Sequence, residues 1–296
     1  FWKIEDLPDG NFLDGFEAKC APYPQSALPA GSWKLESPEL RGLRAKIVNG
    51  RKTLKEVYGS PCAGIKTGYN KAFVLSESEK AELCKNSSAE LLLKQVVFGG
   101  EVRPWRIERE SKWLLYIPKG KHRIQDFPSV FQWLFPHKDR LQKRAAKQNW
   151  FELQQAQDRF EVAYKGRKVI YRDIADRPTF SVDTGSYIDM TCFCLAGASY
   201  FESALLNSST LWFSLIGQTT IASGGFYRMK SQYIEILPIP EATPEQKAAL
   251  GALAEAAQAA AEKRYTLQQS ITRRIPDLAA DPATAKLSTK LKEWWK

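Results

Sequence analysis

The sequence predicts an α+β (mixed α/β) fold, a twisted sheet with helices followed by a helical tail, on three observations. Short stretches rich in aromatic and β-branched residues recur along the chain at strand length. Capped helix starts are interleaved with them. After Pro240 the texture changes to an alanine-rich run of helix formers. With 296 residues, 44% hydrophobic and 26% charged, the chain is long enough to bury a sizeable core and has a globular composition. No apolar run reaches the roughly 18 residues that a membrane-spanning helix needs.

Residues 37 to 57 read as a helix, with Ser37 as cap, Pro38 in the first turn, and Leu40, Leu43, Ile47, Leu54 and Val57 at roughly helical spacing; Asn49-Gly50 can interrupt it. Capping boxes then open two short helices, at Ser76 to Glu79 and at Ser87 to Glu90. Ala72 to Leu75 is strand-like, as are Trp113 to Ile117, Lys168 to Ile174, Thr179 to Asp183 and Thr191 to Leu195. From 129 to 148 Val130, Leu134, Leu141 and Ala145 keep helical period, which predicts a helix with Arg140, Lys143, Arg144 and Lys147 on the opposite, basic face. A mostly apolar helix follows at 199 to 216, then the loop Ser223-Gly224-Gly225 and a closing Pro238-Ile239-Pro240. Thr243-Pro244 starts the tail helix, in which Leu250, Leu253, Ala257, Ala260, Leu267 and Ile271 form a narrow seam for packing, on this chain or on a partner. The divisions expected are a linker with one helix over 1 to 60, a central domain over 61 to 240 and a helical tail over 241 to 296.

The net charge of +10 is not evenly spread. Residues 101 to 180 carry 18 basic and 10 acidic side chains, whereas 1 to 100 carry 14 and 12. Clustered cations attract a polyanion and raise its encounter rate. The five cysteines are odd in number and lack C-x-x-C spacing, so free thiols in a reducing cytoplasm are expected. Cys192 and Cys194 read as same-face residues of one buried strand, and with only His122 and His137 to join them no metal is predicted.

Catalytic motifs are absent. The sequence has no phosphate loop of the G-x-x-x-x-G-K-[ST] kind, no glycine-rich cofactor loop with an Asn/Asp-Pro-Pro-aromatic element, and no Glu-x-Lys partner spaced to Pro276-Asp277; neither histidine has a companion nucleophile motif. A binder is expected, with no catalytic centre and no cofactor of its own. The sharpest local element is Gly64-Ile65-Lys66-Thr67-Gly68-Tyr69-Asn70, where two glycines would let backbone amides, the Lys66 ammonium and the Thr67 hydroxyl approach a phosphate.

Gly64 to Phe73 resembles the opening signature of the TaqI-like C-terminal specificity domain of adenine-specific DNA methyltransferases and fused type II restriction-modification enzymes. Four further stretches resemble that family in order: Gly99 to Trp105 with the strand to Pro118; the helix and Trp150-Phe151-Glu152-Leu153; Lys168 to Ile174; and Ala204 to Ser208 followed by Gly224-Gly225 through Pro240. The resemblance spans about 61 to 240. Gly99-Gly100-Glu101 departs from the family's more basic Gly-Arg-Asp-type turn, so no phosphate contact is carried to position 100.

What the resemblance implies is a target recognition domain that grips double-stranded DNA for a methyltransferase domain N-terminal to Phe1 in the same polypeptide. S-adenosylmethionine would belong to that domain, which methylates adenine at N6, alone in phage defence or fused to an endonuclease. A cytoplasmic location and no membrane partner go with that role. Phosphate contacts give affinity and base-edge contacts give sequence choice. The expected DNA-binding residues are Lys66, Thr67, Arg103, Arg106, Lys112, Arg140, Arg144, Lys147, Lys168, Arg172, Arg228 and Lys230, with Trp105 and Tyr227 able to stack or wedge. The alternative is an interaction scaffold that binds RNA or a partner subunit through the basic segment and the alanine-rich helix.

Overall fold

The computed structural model describes residues 2–4, 20–22, 25–27, 36–85 and 88–274. Two four-stranded sheets organise it. Their strands are β1 (Cys62–Ala63), β2 (Val74–Leu75), β3 (Leu93–Val97), β4 (Trp113–Leu115), β5 (Arg167–Arg172), β6 (Ser181–Thr184), β7 (Tyr187–Ile188) and β8 (Cys192–Ala196). The first sheet runs β6-β5-β8-β1 and is antiparallel throughout; the second runs β7-β3-β4-β2, with β7 parallel to β3.

Successive residues of a strand point to opposite faces, and here both faces of β5 and β8 are covered. Ile170, Cys192 and Cys194 join one hydrophobic cluster, with the second sheet and residues 124–164. Val169, Tyr171, Val182 and Leu195 join a second, under the helices Tyr200–Leu206 and Ser209–Ile216. Tyr171 stacks on its register partner Phe193, centroids 5.7 Å apart. Burial on both sides removes the need for apolar-polar alternation, which is why residues 169–171 and Cys192–Ala196 are apolar without a break. The expected pairing of Cys192 and Cys194 on one buried face of one strand is observed.

Several elements follow the local signals. Ser37 accepts from the backbone N–H of Leu40, Pro38–Val48 is helical, and the helix stops at Asn49-Gly50, where Gly50 takes φ +71°. A second helix, Leu54–Tyr58, then opens on a Thr53/Glu56 capping box. The Ser76/Glu79 box is present as expected; Ser87 lies outside the described residues.

Others differ. Asn70–Phe73 is one helical turn, so the strand expected from Ala72 begins at Val74. The helix expected over 129–148 is broken: Pro128–Leu134 is followed by a 3₁₀ turn at Phe135–His137, where Pro136 has no N–H to continue the ladder, then by Lys138–Gln142 and turns. The segment expected as one helix at 199–216 is two helices, each restarted by a serine cap, Ser199 and Ser208.

The tail helix runs Pro244–Arg274 and packs on Tyr200–Leu206. Its packed stripe is not the expected seam. Leu253, Leu267 and Ile271 are 68%, 55% and 54% exposed, while Ala254 and Gln258 are buried. The reason lies in the sheet edge: Gln258 donates from Nε2 to the Val182 carbonyl and accepts at Oε1 from the Val182 N–H, both at 2.9 Å. One amide side chain thereby satisfies both backbone groups of Val182 at the edge of β6, and the helix face that carries it is the one turned to the sheet.

Candidate nucleic-acid interface

The glycine loop is held from both sides. Gly64 donates to the Cys192 carbonyl at 3.1 Å and Ile65 to the Ile188 carbonyl at 2.8 Å. A Cβ at Gly64 would lie 1.8 Å from the Asp189 carbonyl oxygen, so this glycine serves packing against β7 and β8, not ligand approach. Gly68 takes φ +79°, and a Cβ there would lie 2.5 Å from Arg144 Cδ and from Gln154 Oε1. Between them Lys66 pairs with Gln155 through both backbone groups, at 3.0 and 2.9 Å.

Each predicted DNA-binding residue now has a place. Thr67 is buried; its hydroxyl donates to Asn70 Oδ1 at 2.5 Å and accepts from the Tyr69 N–H at 3.1 Å, capping the turn and not facing outward. Lys66 is half-buried with no acidic partner among the described residues. Arg140 is exposed, its guanidinium 4.6 Å from the centre of the Tyr69 ring. Lys147 is exposed as well.

Arg144 has turned inward. Its Nε donates to the Leu141 carbonyl at 2.9 Å, Nη1 to Thr67 at 2.7 Å, and Nη2 to Trp150 and Glu152, each at 2.8 Å. Burial pulls its pKa down, opposed by the Glu152 carboxylate. The expected basic face therefore lacks Arg144, which ties the glycine loop to residues 150–152. Glu152 completes that tie, accepting from the N–H groups of Gly120 and Asn149 at 2.7 Å.

Lys168 is fully buried, contrary to its expected reach toward the surface. Its ammonium lies 2.7 Å from Asp183, its register partner on β6, and 2.6 Å from the Tyr164 carbonyl. Arg109 and Ser186 also bond Asp183. Burial pushes the Asp183 carboxyl up, but Lys168 and Arg109 together hold it below its usual range.

A second basic group is matched by acids. Arg103 and Arg106 flank the turn Pro104-Trp105 of a hairpin and share Glu108. Trp105 sits at that tip with φ +61°, a conformation rare for a bulky side chain. Lys112 lies 2.6 Å from Glu110 and Lys230 lies 2.8 Å from Asp173. Arg172 is half-buried, its pKa lowered by burial and then by Arg103; Arg228 is exposed. Tyr227 packs edge-on against Trp212.

Beside the glycine loop lies a groove of about 480 Å³ that sequence reasoning missed. Lys119, Lys147 and Arg159 line it together with Gln148, Gln154, Gln155, Gln157 and Asp158. Lys66, Lys119, Arg140, Lys147 and Arg159 form no ion pair among the described residues, and three of them, Lys119, Lys147 and Arg159, line this groove. No group of three or more His, Cys, Asp or Glu side chains among the described residues is placed to hold a metal ion. No helix among them is long and apolar enough to cross a membrane.

No protein-family model and no curated protein matches the chain. Among solved structures, it is similar to the type IIL restriction-modification enzyme MmeI in complex with DNA, at 18% identity and a TM-score of 0.49, over 70% of this chain and 28% of that one. The chain thus spans under a third of that enzyme's length.

Proposed function

We propose that the chain is a DNA target recognition domain, the specificity part of an adenine-N6 methyltransferase or restriction-modification polypeptide. The observation that carries this reading is a set of cations with no ion pair among the described residues: Lys119, Lys147 and Arg159, which line a groove with Asp158 its one acidic lining residue, together with Lys66, whose backbone pairs with the lining residue Gln155, and Arg140 beside the Tyr69 ring. Such a surface supplies the sequence-independent part of DNA affinity. The ordered signature stretches between Gly64 and Pro240 support the more specific family assignment. S-adenosylmethionine would belong to the methyltransferase part of such a polypeptide.

Competition binding tests this reading. Labelled duplex DNA bound by the 296-residue chain is expected to be displaced by unlabelled duplex at lower concentration than by single-stranded DNA or RNA of the same sequence. Equal or better displacement by RNA would reject the reading in favour of a scaffold. That second reading is favoured by one observation, the exposed Leu253, Leu267 and Ile271 on the tail helix.

A further inference from the structure

Two thiols face each other across the outer ladder of the first sheet. Between β1 and β8, Cys62 is the register partner of Cys194, with Ala63 opposite Phe193. Residues directly opposite in an antiparallel ladder put their side chains on one face, with Cα atoms about 4.5 or 5.5 Å apart according to the hydrogen-bonding pattern. A disulfide spans Cα separations of about 4.4 to 6.8 Å, so a pair of either kind lies within its reach. Both cysteines are free thiols, and both belong to the apolar cluster shared with the second sheet. Cys192, on the same face of β8, meets Arg172 in register and accepts from the Gly64 N–H, while Cys84 ends the helix Glu77–Cys84.

The two thiols are not equivalent. A hydrogen bond from Cys194 holds the Cys62 thiol below its usual range against the opposing effect of burial, and the positive charge of Arg159, a residue of the groove, acts in the same direction. Cys194 is pushed well up, by that same bond and then by burial. Cys62 also has the more open position. β1 is the last strand of its sheet and only two residues long, and Cys62 is 6% exposed where Cys194 is fully buried. In thiol–disulfide exchange the more acidic, more accessible thiol attacks, and the one held behind it resolves.

From this we infer that Cys62 and Cys194 are a dithiol–disulfide pair, a modification site at the base of the glycine loop that closes by exchange with a soluble dialkyl disulfide. The Cys62 thiolate attacks one sulfur of that disulfide and expels a first small thiolate, leaving a mixed disulfide on Cys62. The Cys194 sulfur, giving up its proton, then attacks the Cys62 sulfur and expels the second. Each departing thiolate takes up one proton, so two protein thiols are oxidised to one disulfide while the soluble disulfide is reduced to two thiols. Because β1 runs directly into Gly64, closure ties the loop that carries Lys66 covalently to β8. The pair owes nothing to the DNA-binding reading and stands even if the chain binds no duplex.

The test uses the folded, unaltered chain with glutathione disulfide as the oxidant. After incubation the remaining thiols are alkylated in denaturant, and a peptide map is read without reduction. The expected product is a peptide pair joined through Cys62 and Cys194, which separates again when the folded protein is treated with dithiothreitol. Cys194→Ser, with its fold checked by a melting curve, removes the resolving thiol and is expected to stop at the glutathione adduct on Cys62, which should accumulate to at least about tenfold its level in the unaltered chain. A Cys62 adduct that persists in the unaltered chain overturns the proposal, because Cys194 is then out of reach. So does a map in which both thiols stay alkylated, or one in which the link forms only once urea has unfolded the chain.

Discussion

At the scale of single residues, the sequence shows charge but not what the charge faces. Lys66, Arg144 and Lys168 look alike in the sequence, yet one meets no acid, one is a clamp on four carbonyls and one is buried against Asp183. Arg144 and Lys168 find their partners through tertiary packing: Thr67 is 77 residues from Arg144. The glutamines of the groove were illegible for another reason, since an amide gives no charge, period or spacing signal. Arg144 makes the distinction testable. Arg144→Ala leaves the carbonyls of Thr67, Trp150 and Glu152 without this donor, two of them on buried residues, and is expected to lower stability in urea by about 3 kcal/mol. Arg144→Lys cannot restore a planar fork and should recover little of that loss. If Arg144 were a phosphate contact instead, the alanine variant would unfold at the same urea concentration and bind DNA with a shallower salt slope.

At the scale of elements, caps and strand cores were legible because their causes are local. Ser37-Pro38, Ser76 with Glu79, and the β-branched and aromatic runs of β5 and β8 carry their own instructions. Helix continuity beyond Leu134 and the packed face of the tail helix involve Pro136 and the Gln258 bond to β6, and the second cannot be seen without the sheet edge. The pairing of β5 with β6 has a pH signature of its own. Asp183→Asn leaves Lys168 buried beside a neutral partner and is expected to destabilise by about 3 to 5 kcal/mol at neutral pH. Because the native carboxyl is held below its usual range, that contribution is present above the unfolded-state value of about 3.9 and is lost as pH falls through the lower native value. The stability difference between wild type and variant should therefore be flat from pH 7 to about 5 and shrink below it. A difference that instead grows as the solution is acidified would contradict the assignment of Asp183 as an ionised partner.

At the scale of the whole molecule, one sheet buried on both faces separates two apolar clusters, and the glycine loop crosses from β1 toward the groove at the rim of the first. That arrangement sorts the central positive charge. Arg103, Arg106 and Lys112 have acids of their own, so they contribute less outward field than their number suggests, while Lys66, Arg140 and Lys147 have no ion pair among the described residues. The central claim is that these unmatched cations, and not the total charge, grip duplex DNA. The most direct measurement is the slope of log binding constant against log salt for wild type and for Lys66→Ala/Arg140→Ala/Lys147→Ala, with melting curves alongside. Three lost phosphate contacts should make the slope shallower by about 2 to 3 with an unchanged melting temperature. An identical slope in a folded triple variant would contradict the claim.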